Sequence, residues 1–269
     1  MQYNMIETSK VASDETNSKT FVFDIDGVIR DVSGSYRRAL ADTVEYFTNS
    51  AYRPSPEAID ELKAEGIWNN DWEASQELIK RYFLGLGKVA KIDYDDIVAF
   101  FQSRYRGSNP DWSDGYIATE PLIATTAYFQ SLTAAGIDWG FFSGATRASA
   151  SYVLKRLEII APVLVAMEDA AGKPDPTGLL LAVKQIDSKK EKPTEVIVYV
   201  GDTVADMITV IKARDYNPSY QYVGVGVIPP HVTERDRYSA LLKENGADIV
   251  LNSVLELTPQ LNLSQSPSR

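Results

Sequence analysis

The chain contains no cysteine. That single absence removes disulfides, thiol nucleophiles and zinc–thiolate sites, and it fits a reducing compartment, so the expected location is cytoplasmic. There is one histidine, His231, which is too few for a His-rich metal site and makes a histidine-based triad a poor fit. An excess of positive charge is also missing. The 27 Lys and Arg residues stand against 37 Asp and Glu, a formal net charge of −10, and the basic residues are scattered rather than clustered. No electrostatic footprint for nucleic acid results, so none is expected as a partner. No apolar run approaches the roughly 20 residues needed to span a bilayer, and no membrane partner is expected. Residues 1–19 are polar and lack the apolar stretch of a signal peptide. They read as an N-terminal tail, and 259–269 as a C-terminal one.

The composition that remains, 44% hydrophobic and 24% charged over 269 residues, suits one large globular domain or two ordinary ones. Apolar runs of strand length recur at 21–25, 137–142, 162–167, 196–200, 222–228 and 247–251. Several are nearly continuous rather than alternating, as in strands covered on both faces. Helical stretches fall at about 120–135, 146–158, 176–187, 203–213 and 233–245. Strand alternating with helix predicts an α/β fold with a doubly wound parallel sheet. Residues 34–107 break this rhythm with four helical patterns and no strand between them. The expected organisation is therefore an α/β core of residues 20–33 and 108–258 interrupted by a helical insertion, 34–107.

In an open parallel sheet, ligands gather outside the carboxyl ends of the strands. Polar residues recur at those ends. FVFDIDG supplies Asp24 and Asp26, FFSGATR supplies Ser143, AGKPDP supplies Lys173, and GDTVAD supplies Asp202 and Asp206. Carboxylates this close raise one another's pKa unless a cation neutralises them. Asp24, Asp202 and a backbone carbonyl form the hard oxygen set that suits Mg²⁺. Asp24 can attack phosphorus, and Asp26 can protonate a leaving alcohol and then deprotonate water. Ser143 and nearby N–H groups can hold a phosphoryl oxygen, and Lys173 can neutralise the charge on nucleophile and transferring group. Taken singly each feature is ordinary: an acidic turn, a helix cap, a loop lysine. Their joint occurrence is not.

Those four segments, in that order, resemble the four motifs of the haloacid dehalogenase (HAD) superfamily over about residues 20–251. The resemblance implies a Rossmann-like core with an α-helical cap inserted between motifs one and two, as in the phosphoglycolate phosphatase-like and β-phosphoglucomutase-like members. It implies Asp24 as nucleophile and Asp26 as acid/base that also offers its main-chain carbonyl to Mg²⁺. Asp202 is implied as a metal ligand, and Asp206 as a ligand or its supporting partner. The family's dehalogenases lack the second carboxylate, so Asp26 favours a phosphate substrate. The expected activity is Mg²⁺-dependent hydrolysis of a small phosphorylated metabolite through an aspartyl-phosphate. A phosphomutase of the same fold and a non-catalytic binding protein are the alternatives. Selectivity is expected from the cap segment GIWNNDW, with Asn69 and Asn70 as candidate substrate contacts beside Gly144 and Arg30, and with Arg37 and Arg38 as weaker ones. His231 and Asp31 receive no role, and the sequence leaves the substrate's identity and the oligomeric state open.

Overall fold

The apolar run that precedes Asp24 forms β1, Lys19–Phe23, at the centre of the sheet. The computed structural model describes residues 18–68 and 70–261. The remaining strands are β2 Asp138–Phe142, β3 Leu164–Val165, β4 Val196–Gly201, β5 Gln221–Val227 and β6 Ile249–Leu251. They lie in the order β3-β2-β1-β4-β5-β6, and every neighbouring pair is parallel. The chain builds outward from β1 to β3 and then returns to the other side of β1 for β4. That reversal is the topological switch point, where the connections leave the sheet in opposite directions and open a crevice. Phe23 pairs with Val200 across it, and Asp24 N donates to Val200 O at 2.8 Å, so the residues after β1 and after β4 emerge side by side.

Side chains alternate between faces along each strand. Phe21 and Phe23 face one layer, with Phe129, Phe141, Val153 and Leu157. Val22 and Tyr199 face the other, with Leu179, Val183 and Val210. The helices supplying these layers are α5 Thr126–Ala134, α6 Arg147–Arg156, α7 Thr177–Asp187 and α8 Val204–Tyr216, with α9 Arg235–Glu244 beside β6. Double coverage explains the unbroken apolar runs.

Two segments differ from the periodicity. Helix α5 begins at Thr126, capped by Thr125, whose hydroxyl accepts from Tyr128 N. The preceding residues are held extended instead, because Asp31 N donates to Pro121 O and Leu122 bridges the backbone of Arg30. Strand β3 is only two residues long. After Val165 the chain is diverted: Ala166 N donates to the Asp169 carboxylate, and Met167 N donates to Ala145 O.

Four helices come between β1 and α5 in sequence: α1 Tyr36–Phe47, α2 Pro56–Ala64, α3 Asp71–Gly85 and α4 Tyr94–Tyr105. They pack around their own cluster, which includes Leu40, Val44, Ile59, Leu62, Leu78, Ile79, Ile97 and Phe101. Local chemistry sets the starts of three: Ser55 ahead of Pro56, Asn70, and Asp93 each accept a backbone N–H of the first turn. Trp68 and Trp72 pack against this cluster, partly buried. Among the described residues no helix is long and apolar enough to cross a membrane.

Candidate active site

Asp24 leaves β1 buried, with Oδ1 accepting from Ile25 N at 2.7 Å and Oδ2 lying 2.9 Å from Lys173 Nζ. Lys173 arrives from the loop after β3 and is itself buried. Its ammonium also meets Asp206 Oδ1 at 2.6 Å and lies over the rings of Phe142 and Tyr199, at 5.3 and 5.6 Å. Asp206 belongs to the first turn of α8. Its Oδ1 accepts from the Tyr199 hydroxyl at 2.8 Å, and its Oδ2 accepts from Asp202 N, Thr203 N and Thr203 Oγ1. With Thr203 it forms a reciprocal capping box. Its oxygens are thus largely occupied in holding Lys173 and the β4–α8 turn.

Asp202 is different. It is buried, yet among the described residues it forms no ion pair. Single carboxylate oxygens of Asp24, Asp202 and Asp206 all lie within 4.8 Å of one another. Burial first, then the charges of Asp206 and Asp24, push the Asp202 carboxyl well above its ordinary range. Burial also pushes Asp24 up to about 7, against the pull of Lys173. In Asp206 burial acts upward as well, but Lys173 and the Thr203 bonds outweigh it and hold the group low. Lys173 pays a burial penalty that the two carboxylates overcome, so it stays charged. When ionised, the three carboxyls carry more negative charge than one ammonium neutralises, and their donors are hard oxygens. A divalent cation fits both conditions.

The backbone is shaped to match. Gly27, at φ +74°, brings the turn so close to Asp202 that a Cβ there would lie 2.0 Å from Oδ2. The chain at Gly27 therefore lies against the Asp202 carboxylate. Gly27→Ala is expected to move that carboxylate, weakening any divalent-cation binding by the cluster more than tenfold and costing about 1–3 kcal/mol of stability. Calorimetric Mg²⁺ titration and a urea melt of the variant check both.

Ser143 lies at the end of β2, buried, with its N–H bonded to Val165 O and its Oγ accepting from Ala145 N at 3.1 Å. It lines a cavity of about 260 Å³ together with Gly144, Lys173, Met167 and, from the helical region, Ile67, Asn70 and Glu73. A smaller cavity of about 40 Å³ shares Asn70, Gly144 and Met167 and adds Asp26, Tyr36, Asp71, Gln102 and Thr146. Asn70 and Gly144 thus border both spaces, and Asn70 also caps its helix by accepting from Trp72 N at 3.0 Å. Asn69 lies outside the described residues.

None of the three arginines lines either cavity. Arg30 is fully buried beneath Asp26, paired with Asp26, Glu120 and Tyr105, and presents nothing to a substrate. Arg37 is committed to Asp60 and Pro56 O, and Arg38 stacks over the Tyr116 ring at 4.1 Å. His231 lies with Nε2 3.7 Å from Asp60 Oδ1, and it lines neither cavity. Asp31 caps its own turn, accepting from Ser33 N. Residues that the sequence reading missed include Tyr199, which holds Asp206, and Tyr238, whose hydroxyl donates to Asp202 O at 2.8 Å. Thr203 was legible in principle, since it stands three residues before Asp206 as a capping box requires.

The arrangement can be set beside known proteins. Residues 18–214 match the family model described as haloacid dehalogenase-like hydrolase. A curated protein of Phytophthora nicotianae, named imidazoleglycerol-phosphate dehydratase, is 27% identical over 265 residues; the match takes in 93% of this chain but 55% of that protein, so the chain spans about half its length. Among solved structures, a hydrolase from Pseudomonas syringae superposes with a TM-score of 0.62 at 17% identity, covering 89% of this chain and 96% of the other. A HAD-family hydrolase from Deinococcus radiodurans, solved with phosphate and sodium, gives 0.59 at 18% identity over 89% and 93%. CbbY from Rhodobacter sphaeroides, in complex with phosphate, gives 0.58 at 17% identity over 90% and 96%. The structures share the fold, and the model match spans the strands that carry Asp24, Ser143, Lys173 and Asp202: the chain belongs to the haloacid dehalogenase-like hydrolases.

Proposed function

We propose that this chain is a Mg²⁺-dependent phosphatase that hydrolyses a small phosphomonoester through a phosphoryl group carried on Asp24. The observation that carries the reading is the buried Asp24 carboxylate, 2.9 Å from Lys173 and clustered with Asp202 and Asp206 at the switch point of the sheet. In the first half, an Asp24 oxygen forms a bond to phosphorus as the bond from phosphorus to the ester oxygen breaks. Asp26 gives its proton to that departing oxygen. In the second half, Asp26 takes a proton from water, the water oxygen bonds to phosphorus, and the acyl-phosphate bond breaks to regenerate Asp24. Ser143 and the N–H groups of its loop hold a phosphoryl oxygen, and Lys173 offsets charge on Asp24 and on the transferring group. Asp24, Asp202 and the Asp26 carbonyl would hold Mg²⁺, with Asp206 supporting them; the ion would supply positive charge to the phosphoryl oxygens.

On this reading residues 34–107 form a cap over a core of 20–33 and 108–258, and Asn70, at the start of the helix Asp71–Gly85, faces Ser143 and Lys173 across the larger cavity. Hydrolysis is favoured over mutase chemistry by the cavity linings. A mutase that passes through a bisphosphate must hold a second phosphate. Among the described residues that line the two cavities, Lys173 is the one Lys or Arg, and the helical side offers Glu73 and Asp71. About half of the Phytophthora protein lies outside the match, so its dehydratase name does not fix the chemistry of the part that this chain resembles. The phosphate bound in two of the solved relatives agrees with a phosphate ester.

The test is a screen of phosphorylated metabolites for phosphate release with and without Mg²⁺. Turnover is expected only with the metal. Mg²⁺ at 100 times its dissociation constant should also stabilise the protein by about 2.7 kcal/mol, read from thermal melts with Mg²⁺ and with EDTA. Isomerised sugar phosphate without phosphate release would favour the mutase.

A further inference from the structure

Arg30 stands four residues after Asp26, and none of its surface is exposed. Its Nε donates to Asp26 Oδ1 at 2.7 Å, with Nη2 2.6 Å from the same oxygen. Nη1 donates to Glu120 Oε2 at 2.5 Å, and Nη2 also donates to the Tyr105 hydroxyl at 2.8 Å. All three guanidinium nitrogens are therefore engaged. Their partners come from separate places: the turn after β1, the end of the helix Tyr94–Tyr105, and the segment at 120–122 that returns from the helical region to the sheet. The backbone repeats the link, since Arg30 bridges Asp26 on one side and Leu122 on the other.

A buried charged cluster of this kind seldom exceeds apolar residues of similar volume as a source of stability. What it does supply is a fixed geometry, because each guanidinium bond constrains the plane of the group and of its partner. The group it fixes is the one that matters for proton transfer. Asp26 has a side chain 23% exposed and lines the smaller cavity, while its Oδ1 is anchored from beneath.

We propose that Arg30 is a positioning residue for proton transfer, holding the Asp26 carboxylate toward the leaving oxygen and linking that orientation, through Tyr105 and Glu120, to the helical region. The proposal rests on Asp26 being the acid/base. Arg30 touches neither phosphorus nor the leaving group and acts through Asp26 alone.

The test compares phenyl phosphate with p-nitrophenyl phosphate under kcat/KM conditions, which report steps up to formation of the phosphorylated enzyme. Phenolate is the more basic leaving group and benefits more from Asp26's proton. Asp26→Asn is expected to lower the phenyl to p-nitrophenyl ratio at least about fivefold. Arg30→Lys should lower it in the same direction. So should the pair Arg30→Met with Glu120→Leu, which removes both buried charges together and so preserves folding. Loss of folded enzyme alone lowers both substrates equally and leaves the ratio unmoved. A ratio that falls in Asp26→Asn but in neither Arg30 variant overturns the role of Arg30 and leaves Asp26 standing. A ratio unmoved in Asp26→Asn overturns the acid assignment, and the proposal with it.

Discussion

Asp24→Asn is expected to reduce phosphate release from p-nitrophenyl phosphate by at least about 10³-fold, with Mg²⁺ present, while the protein remains folded. Removal of a nucleophile leaves only the binding and charge-stabilising parts of a site, and losses of this size or larger are usual. The fold should tolerate the change because the amide has the carboxylate's shape and removes a repelling charge from beside Asp202 and Asp206. A pH effect follows. The Asp24 carboxyl, raised mainly by burial from 3.8 to about 7, binds its proton more tightly in the folded chain than in the unfolded one. Its contribution is fully present below about pH 4 and is lost as pH rises through about 7. In EDTA the parent should therefore lose stability across that window more steeply than Asp24→Asn. Parallel melts from pH 4 to 8 check this; superimposable slopes would contradict the buried charge at Asp24.

Lys173→Met should have the second largest effect, and mainly on stability. Lys173 is the cation that contacts both Asp24 and Asp206, at 2.9 and 2.6 Å, with all three side chains buried. Removing one partner of a buried ion pair commonly costs 3–5 kcal/mol, because the remaining charge is left uncompensated. A urea-melt loss of about 3–5 kcal/mol in EDTA is expected, with Mg²⁺ restoring part of it. Turnover should fall about 10²–10³-fold, as when a preorganised charge-stabilising group is lost. Arg should not substitute, since the ammonium sits among the Phe142 and Tyr199 rings and a planar fork requires different room. Stability within about 0.5 kcal/mol of the parent would contradict the assignment of Lys173 as the cluster's counter-charge.

The parts that sequence reveals are those governed by local chemistry. Continuous apolar runs such as VIVYV show strands covered on both faces, and the polar residues just after them must gather at one edge once the strands are parallel. That is why Asp24, Ser143, Lys173 and Asp202 can be grouped before any coordinates exist. Long-range pairings are less legible. Arg30 reads as a candidate substrate contact near a linker, and nothing in its neighbourhood announces Glu120, 90 positions away, or Tyr105. Its burial depends on how the chain returns from the helical region. For Asp206 the sequence leaves ligand and supporting partner open, and only the long-range bonds to Tyr199 and Lys173, with Thr203, show its oxygens occupied within the protein. The brevity of β3 likewise follows from a turn bond, Ala166 N to Asp169, that outweighs an apolar run.

The measurement that bears most directly on the account is acid-quench mass spectrometry of Asp26→Asn after brief exposure to p-nitrophenyl phosphate and Mg²⁺. With water activation impaired, the phosphorylated enzyme should accumulate, and one phosphoryl group should map to the peptide containing Asp24 and be labile to hydroxylamine. Phosphate release by the parent enzyme with no phosphoryl group on Asp24 in the variant, or with the group on another residue, would contradict it.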